Sequence, residues 1–193
     1  MLVQDVMSRP ALTVGVDESV KGALRLMDQH HVTSLPVIGR QGLLVGVVNE
    51  ADALRHRVSH DPRAHMMPRP ETTTPAVSVA QLMSRPLTVE PRDDLSEAVE
   101  LMTSTAVKSL PVVEGGRVVG VVSRSDVVHL LARQDDQIRE DIVRMLTDAG
   151  LHCGVEVLDG IVSLLAFDDP RSAPAAKAVS ASVGGVVAVQ VFT

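Results

Sequence analysis

The sequence has no tryptophan and no tyrosine, and its two phenylalanines, Phe167 and Phe192, lie near the C-terminal end. A base bound in the first 166 residues must therefore rest against aliphatic side chains and backbone. Aromatic platforms that stack single-stranded nucleic acid are excluded there. Cys153 is the one cysteine, which rules out an intramolecular disulfide and a zinc cluster built from thiolates. No stretch approaches ~18 uninterrupted apolar residues, so no spanning helix is expected. Positive charge is also short: 18 Lys and Arg stand against 24 Asp and Glu, a formal net charge of -6. Nucleic-acid backbones call for clustered Lys and Arg, so no nucleic-acid partner is expected, although one small basic pocket fits this balance. The start, MLVQDVMSRP, lacks the apolar core of a signal peptide. The expectation is a cytoplasmic protein without membrane contact.

Catalytic signatures are missing too. There is no P-loop, no G-x-G-x-x-G and no G-x-S-x-G elbow. His30-His31, His56, His60 and His65 have no metal-ligand spacing. A non-enzymatic protein is expected, with no metal and no certain cofactor.

What is present is a repeat. Met7-Ser8-Arg9-Pro10 returns as Met83-Ser84-Arg85-Pro86. Val20, Ala23, Leu24 and Met27 return as Leu95, Ala98, Val99 and Met102, each set spaced as one apolar helix face. Asp17 and Asp94 are candidate caps, the latter boxed with Glu97. Val32–Ile38 returns as Val107–Val113, and Pro36 and Pro111 suggest edge positions or breaks in those strands. Leu43–Val48 and Val118–Val122 are continuous apolar runs typical of strands buried on both faces. Short helices follow, ending near Arg57 and Arg133. Each unit reads strand, helix, strand, strand, helix, and is too small to bury an adequate core alone. Ser59–Thr74, with Pro62, Pro68 and Pro70, reads as a linker. The boundaries are 1–58, a linker 59–78, 79–134, and a tail 135–193.

The tail leaves the repeat. Ile138, Ile142, Met145 and Leu146 line a helix face that Gly150 is placed to stop. Leu158-Asp159-Gly160 predicts a hairpin turn between Leu151–Val157 and Ile161–Ala166. A second helix carries Ala175, Ala176, Val179 and Val183 on one side, Gly184-Gly185 ends it, and Val186–Phe192 predicts a last strand. The fold class is α/β (α+β): two β-α-β-β-α units and a small αββαβ domain.

Gly46-Val47-Val48-Asn49-Glu50-Ala51-Asp52 returns as Gly120-Val121-Val122-Ser123-Arg124-Ser125-Asp126. Ser123 and Asn49 can each cap a helix, with Asp126 and Asp52 in the first turn. The same geometry also suits binding. A strand ending at a helix N-terminus presents free N–H groups, and a carboxylate there can accept two hydrogen bonds from a vicinal diol. Spacing alone leaves both readings open.

The repeated Met-Ser-Arg-Pro, Leu-Thr-Val, Ser-Leu-Pro-Val and Gly-Val-Val-Ser-Arg-Ser-Asp stretches resemble a tandem pair of cystathionine β-synthase (CBS) domains, a Bateman module. The resemblance covers residues 1–133. It implies a cleft for AMP, ADP, ATP or another adenosyl compound such as S-adenosylmethionine. It implies Asp126 and Asp52 as ribose ligands, with Ser123 as the matching hydroxyl and Asn49 departing from it. Lys108 falls at the phosphate-facing place, where the other repeat has the uncharged Thr33. The neighbouring Ser109, Pro111 and Pro36 belong to the same strands, and Thr13 and Thr88 are candidates to contact the base. The Ser123/Asp126 site is expected to fill first. The tail resembles a BON domain, through Val155-x-Val157-x-Asp159-Gly160-x-Val162-x-Leu164 and Gly184-Gly185-Val186, with Ala166 where that family usually has glycine. The resemblance implies a regulatory sensor with the tail as output or contact element, acting on an unidentified protein target. It also implies a homodimer through Val20/Leu24/Met27-type or Val127/Leu131-type faces. Two other readings stand beside it: a scaffold that binds no nucleotide, and a surface- or lipid-associated stress protein acting through the tail.

Overall fold

The computed structural model describes residues 1–54, 63 and 77–192. Most of the linker, with Pro62, Pro68 and Pro70, lies outside the described residues, as do Arg57, His56, His60 and His65.

The first repeat forms β1 (Val14–Gly15), α1 (Val20–His30), β2 (Ser34–Ile38), β3 (Leu44–Asn49) and α2 (Glu50–Leu54). The second forms α3 (Leu95–Ser104), β4 (Ser109–Glu114), β5 (Arg117–Ser123) and α4 (Arg124–Leu131). β1 pairs parallel to β2, and β2 pairs antiparallel to β3. In the second repeat the counterpart of β1 shrinks to one parallel bridge, Val89 to Val112, so its sheet has two strands. Pro36 and Pro111 sit in register opposite Val47 and Val121; β1 pairs from Val37 onward, and Val89 N donates to Pro111 O, a contact that needs no N–H from the proline.

Three local expectations are corrected. Ser19, not Asp17, caps α1, its hydroxyl accepting from Gly22 N at 2.9 Å. Asp17 lies too early and pairs with Arg40 instead. Asp94 does cap α3, but through Ser96 N at 2.8 Å rather than through the box with Glu97. The runs in β3 and β5 are buried on one face, not both: Val48 and Val122 are buried, while Val47 and Val121 line open clefts.

The two cores are exchanged at their edges. Val3 and Met7, which precede β1 in the first unit, pack with Leu95, Met102, Leu110 and Val122 of the second. Val79, with Leu82 and Met83, completes the first unit's core around Met27, Leu35 and Val48. Backbone bonds fasten each crossing segment. Ser8 N donates to Val121 O at 2.9 Å and Ser84 N to Val47 O at 2.9 Å. The motif glycines make this approach possible. A Cβ on Gly120 would lie 2.5 Å from Met7 Sδ, and one on Gly46 would lie 2.8 Å from Met83 Sδ. Each Met-Ser-Arg-Pro thus reaches across to the glycine of the other repeat.

The tail forms α5 (Asp135–Asp148), β6 (Gly154–Leu158), β7 (Ile161–Leu165), α6 (Ala173–Ala181) and β8 (Ala188–Val191). The sheet order is β6-β7-β8, with β8 parallel to β7. Asp159 and Gly160 both take positive φ, 50° and 72°. Their N–H groups donate to the Asp135 carboxylate at 2.7 and 2.9 Å, so the start of α5 holds the hairpin turn. Ile138, Ile142 and Leu146 are buried, but Met145 is exposed, as is Ala175 on α6. The apolar stripe of each helix is narrower than its sequence suggests. On α6 the buried residues are Ala173, Ala176 and the polar Ser180.

The tail is latched to the second repeat by Arg133, which donates to Gly184 O at 2.6 Å and to Asp141 at 2.5 Å. The Arg133 hydrogen bond, opposed by desolvation and aided by Arg144, holds the Asp141 carboxyl below its usual range. A depressed folded pKa means that this contribution is complete above the unfolded value, ~3.9, and is lost as pH falls through the folded one. Arg133→Ala is expected to cost about 1.5 kcal/mol and to raise hydrogen exchange around residues 183–187 at neutral pH. The parent protein should show part of this loosening only below pH ~4, because the Gly184 carbonyl still accepts from Arg133 once Asp141 is protonated. Equal exchange in both proteins would show that the latch carries no load.

Candidate functional site

Ser123 ends β5 and caps α4. Its hydroxyl accepts from Asp126 N at 3.2 Å, while Asp126 Oδ2 accepts from Ser123 N at 2.8 Å and Ser123 Oγ at 2.6 Å. The cap reading is therefore satisfied. Asp126 Oδ1 points elsewhere, taking a 3.3 Å bond from Ser8 Oγ. That carboxylate borders a cleft of about 660 Å³. Its walls are the crossing segment (Ser8, Pro10–Leu12), the end of α1 through the start of β2 (His30–Ser34), Lys108-Ser109, and Ser123–Asp126 with His129.

The other repeat builds a smaller cleft of about 290 Å³. Asn49 caps in Ser123's place, its Oδ1 accepting from Asp52 N at 2.9 Å and its amide donating to Asp52 Oδ2 at 2.6 Å. Val47, Asn49, Glu50, Ala51, Ser84–Leu87 and Ala106–Ser109 line this cleft, with Thr33 and Ser34. Small-molecule sites run ~300–1,000 Å³. The first cleft lies well inside that range and the second at its lower edge.

Thr33, Ser34, Lys108 and Ser109 border both clefts. The Ser34 and Ser109 hydroxyls meet at 2.5 Å. Lys108 Nζ lies 2.5 Å from Glu50 Oε1, so its charge is engaged on the side of the smaller cleft.

Ser123, Asp126, Lys108, Ser109, Thr33 and Asn49 thus all border a cleft. Others in the sequence reading do not. Asp52 lines neither cleft; its carboxylate is turned to Asn49. Pro36 and Pro111 are buried within their strands, and Thr13 and Thr88 are replaced at the walls by their neighbours Leu12 and Leu87. Glu50, Arg124, Ser8, Ser84 and the histidines His30, His31 and His129 were not singled out as wall residues, yet they line the clefts. The signal for Ser8 and Ser84 was available in the repeated Met-Ser-Arg-Pro, but nothing local says that this segment crosses to the other repeat. Among the described residues no group of three or more His, Cys, Asp or Glu is placed to hold a metal ion. Nor is any helix there long and apolar enough to cross a membrane.

The family model described as the CBS domain matches this chain twice, over residues 3–59 and 79–133. The chain belongs to the CBS-domain family. Its CBS pair is 27% identical over 154 residues to the uncharacterized protein MJ1426 of Methanocaldococcus jannaschii, covering 68% of this chain and 91% of that one. It is 30% identical over 125 residues to the CBS domain-containing protein YhcV of Bacillus subtilis, covering 64% and 81%. Among solved structures, CBSX2 in complex with AMP is 30% identical with a TM-score of 0.55, covering 66% of this chain and 94% of that one. The CBS domain pair of MJ0100, in complex with 5-methylthioadenosine and S-adenosyl-L-methionine, is similar in fold at 23% identity and a TM-score of 0.55, covering 67% and 94%.

Proposed function

We propose that this protein is a regulatory sensor that binds an adenosyl ligand in its CBS pair, first in the Ser123/Asp126 cleft. The observation that carries this reading is the Asp126 carboxylate. It stands in the first turn of α4 at the edge of a 660 Å³ cleft whose walls come from both repeats. A ribose hydroxyl can donate to Asp126 Oδ1 by displacing the single long bond from Ser8, while Oδ2 stays with Ser123. The AMP complex of CBSX2 supports the ligand class. The units are 1–58, 79–134 and a BON-like output domain over 135–193, in a cytoplasmic homodimer that acts on a protein target. The dimer faces need revising, because Val20 and Met27 are buried within the chain. Leu54 of α2 and Val128 and Leu131 of α4, each more than half exposed, are the faces we assign to a second copy. The scaffold reading keeps one observation in its favour, the complete Ser123/Asp126 box.

A thermal-shift panel of AMP, ADP, ATP and S-adenosylmethionine separates the two readings. A binder at a hundredfold excess over its dissociation constant is expected to add ~2.7 kcal/mol. A flat response across the panel would favour the scaffold. Light scattering on the same samples should give twice the chain mass, and a monomer at micromolar concentration would remove the dimer.

A further inference from the structure

One repeat position carries opposite charges in the two halves. The residue after the cap is Glu50 in the first repeat and Arg124 in the second. Each opens its helix, each N–H donates to the equivalent carbonyl (Glu50 N to Thr33 O at 2.8 Å, Arg124 N to Lys108 O at 3.0 Å), and each lines its own cleft. Backbone geometry is thus matched while the side-chain charge is reversed.

Both clefts border Lys108, which Glu50 holds, so the contrast rests on Glu50 against Arg124. In the smaller cleft the charged groups are Glu50, Arg85 and Lys108, and Glu50 holds the Lys108 ammonium at 2.5 Å. An anion entering there meets the Glu50 carboxylate in the first turn of α2, a lysine already paired with it, and Arg85 as the remaining cation. In the larger cleft the charged groups are Arg124, Lys108 and Asp126, with His30, His31 and His129 as further donors. There Asp126 already takes hydrogen bonds from Ser123 and Ser8, and Arg124 is a planar donor suited to phosphate.

We propose that the Glu50/Arg124 reversal sorts ligands between the clefts. The larger cleft takes a phosphate-bearing adenosyl ligand against Arg124. Glu50 is a specificity residue that keeps phosphate out of the smaller cleft, leaving that cleft to an uncharged or cationic adenosyl group. This rests on the nucleotide-binding reading above and adds to it which cleft accepts charge.

Calorimetry on the full chain with AMP and with adenosine tests it. The wild-type protein should take one AMP per chain. Arg124→Glu should weaken AMP tenfold or more, about the value of one charge-assisted contact, and leave adenosine affinity unchanged. A glutamate in a first helical turn is favourable, so this variant should fold, as far-ultraviolet circular dichroism can verify. Arg124→Gln should fall between. Glu50→Arg should raise the AMP stoichiometry from one to two. Added salt should weaken AMP and not adenosine. Unchanged AMP affinity in Arg124→Glu overturns the proposal, as does a stoichiometry of one in Glu50→Arg or of two in the wild type. If adenosine binds while AMP is indifferent to both substitutions, this inference alone falls. If neither ligand gives heat with any variant, the nucleotide reading fails and takes this one with it.

Discussion

Asp126→Asn is expected to weaken adenosyl-ligand binding by about one to two decades, while Asp52→Asn leaves it nearly unchanged. The two residues occupy the same place in the repeat, so the contrast must come from their surroundings. Asp126 borders the larger cleft and keeps one oxygen turned toward Ser8 on its wall. Asp52 lines neither cleft and gives its carboxylate to Asn49. Losing a hydrogen bond to a charged group costs ~1.5–3 kcal/mol, which is the stated range in affinity. Asparagine is the right replacement because its amide oxygen can still accept from Ser123 N in the first turn while Ser123 keeps the cap, so a loss of binding will not be a loss of α4. Calorimetry gives the affinities and circular dichroism the helix content. If Asp52→Asn were the damaging change, the smaller cleft would be the primary site.

The second large effect concerns the exchanged cores. Leu35 and Leu110 are equivalent residues of the two repeats, and both are fully buried. Truncating either to alanine is expected to cost ~2–5 kcal/mol through lost transfer energy and the cavity left behind. For a chain of this size that lowers Tm by roughly 6–15 °C. The informative part is the shape of the melt. Val3 and Met7 belong to the core around Leu110, and Val79 to the core around Leu35. Each variant should therefore lower one common transition of the CBS pair in scanning calorimetry. Two resolved transitions, with only one shifted in each variant, would show that the units melt independently and that the crossings contribute little.

The adjacent cap position illustrates how a sequence comparison can weigh the wrong letter. Ser123 and Asn49 look like the meaningful difference between the repeats, because one matches a binding motif and the other does not. In the fold both cap their helices, with bonds of similar length to the first-turn aspartate. The difference that reverses charge at the cleft walls is one residue on, Glu50 against Arg124. Similarly, Lys108 reads from its position as a phosphate ligand of the Asp126 cleft, yet its ammonium is held by Glu50, 58 residues away. Neither fact has a local signature.

By itself the sequence determined the parts. Period-3.6 apolar faces define α1, α3 and α5, the capping chemistry of Ser123 starts α4, and Asp159-Gly160 turns the hairpin. It also determined that no Phe, Tyr or Trp can stack a base in the first 166 residues, and that two copies of one unit must share their burial. These are local properties, set by side-chain spacing and by the conformations that a few residues allow. Only the tertiary structure decided how the parts serve each other. It sends Met7 to Gly120 and Met83 to Gly46, places Ser8 beside Asp126 across 118 residues of chain, puts Lys108 on Glu50, and latches the tail through Arg133. Such contacts depend on which surfaces exclude water together. That is a property of the packed whole, and no window of sequence contains both partners.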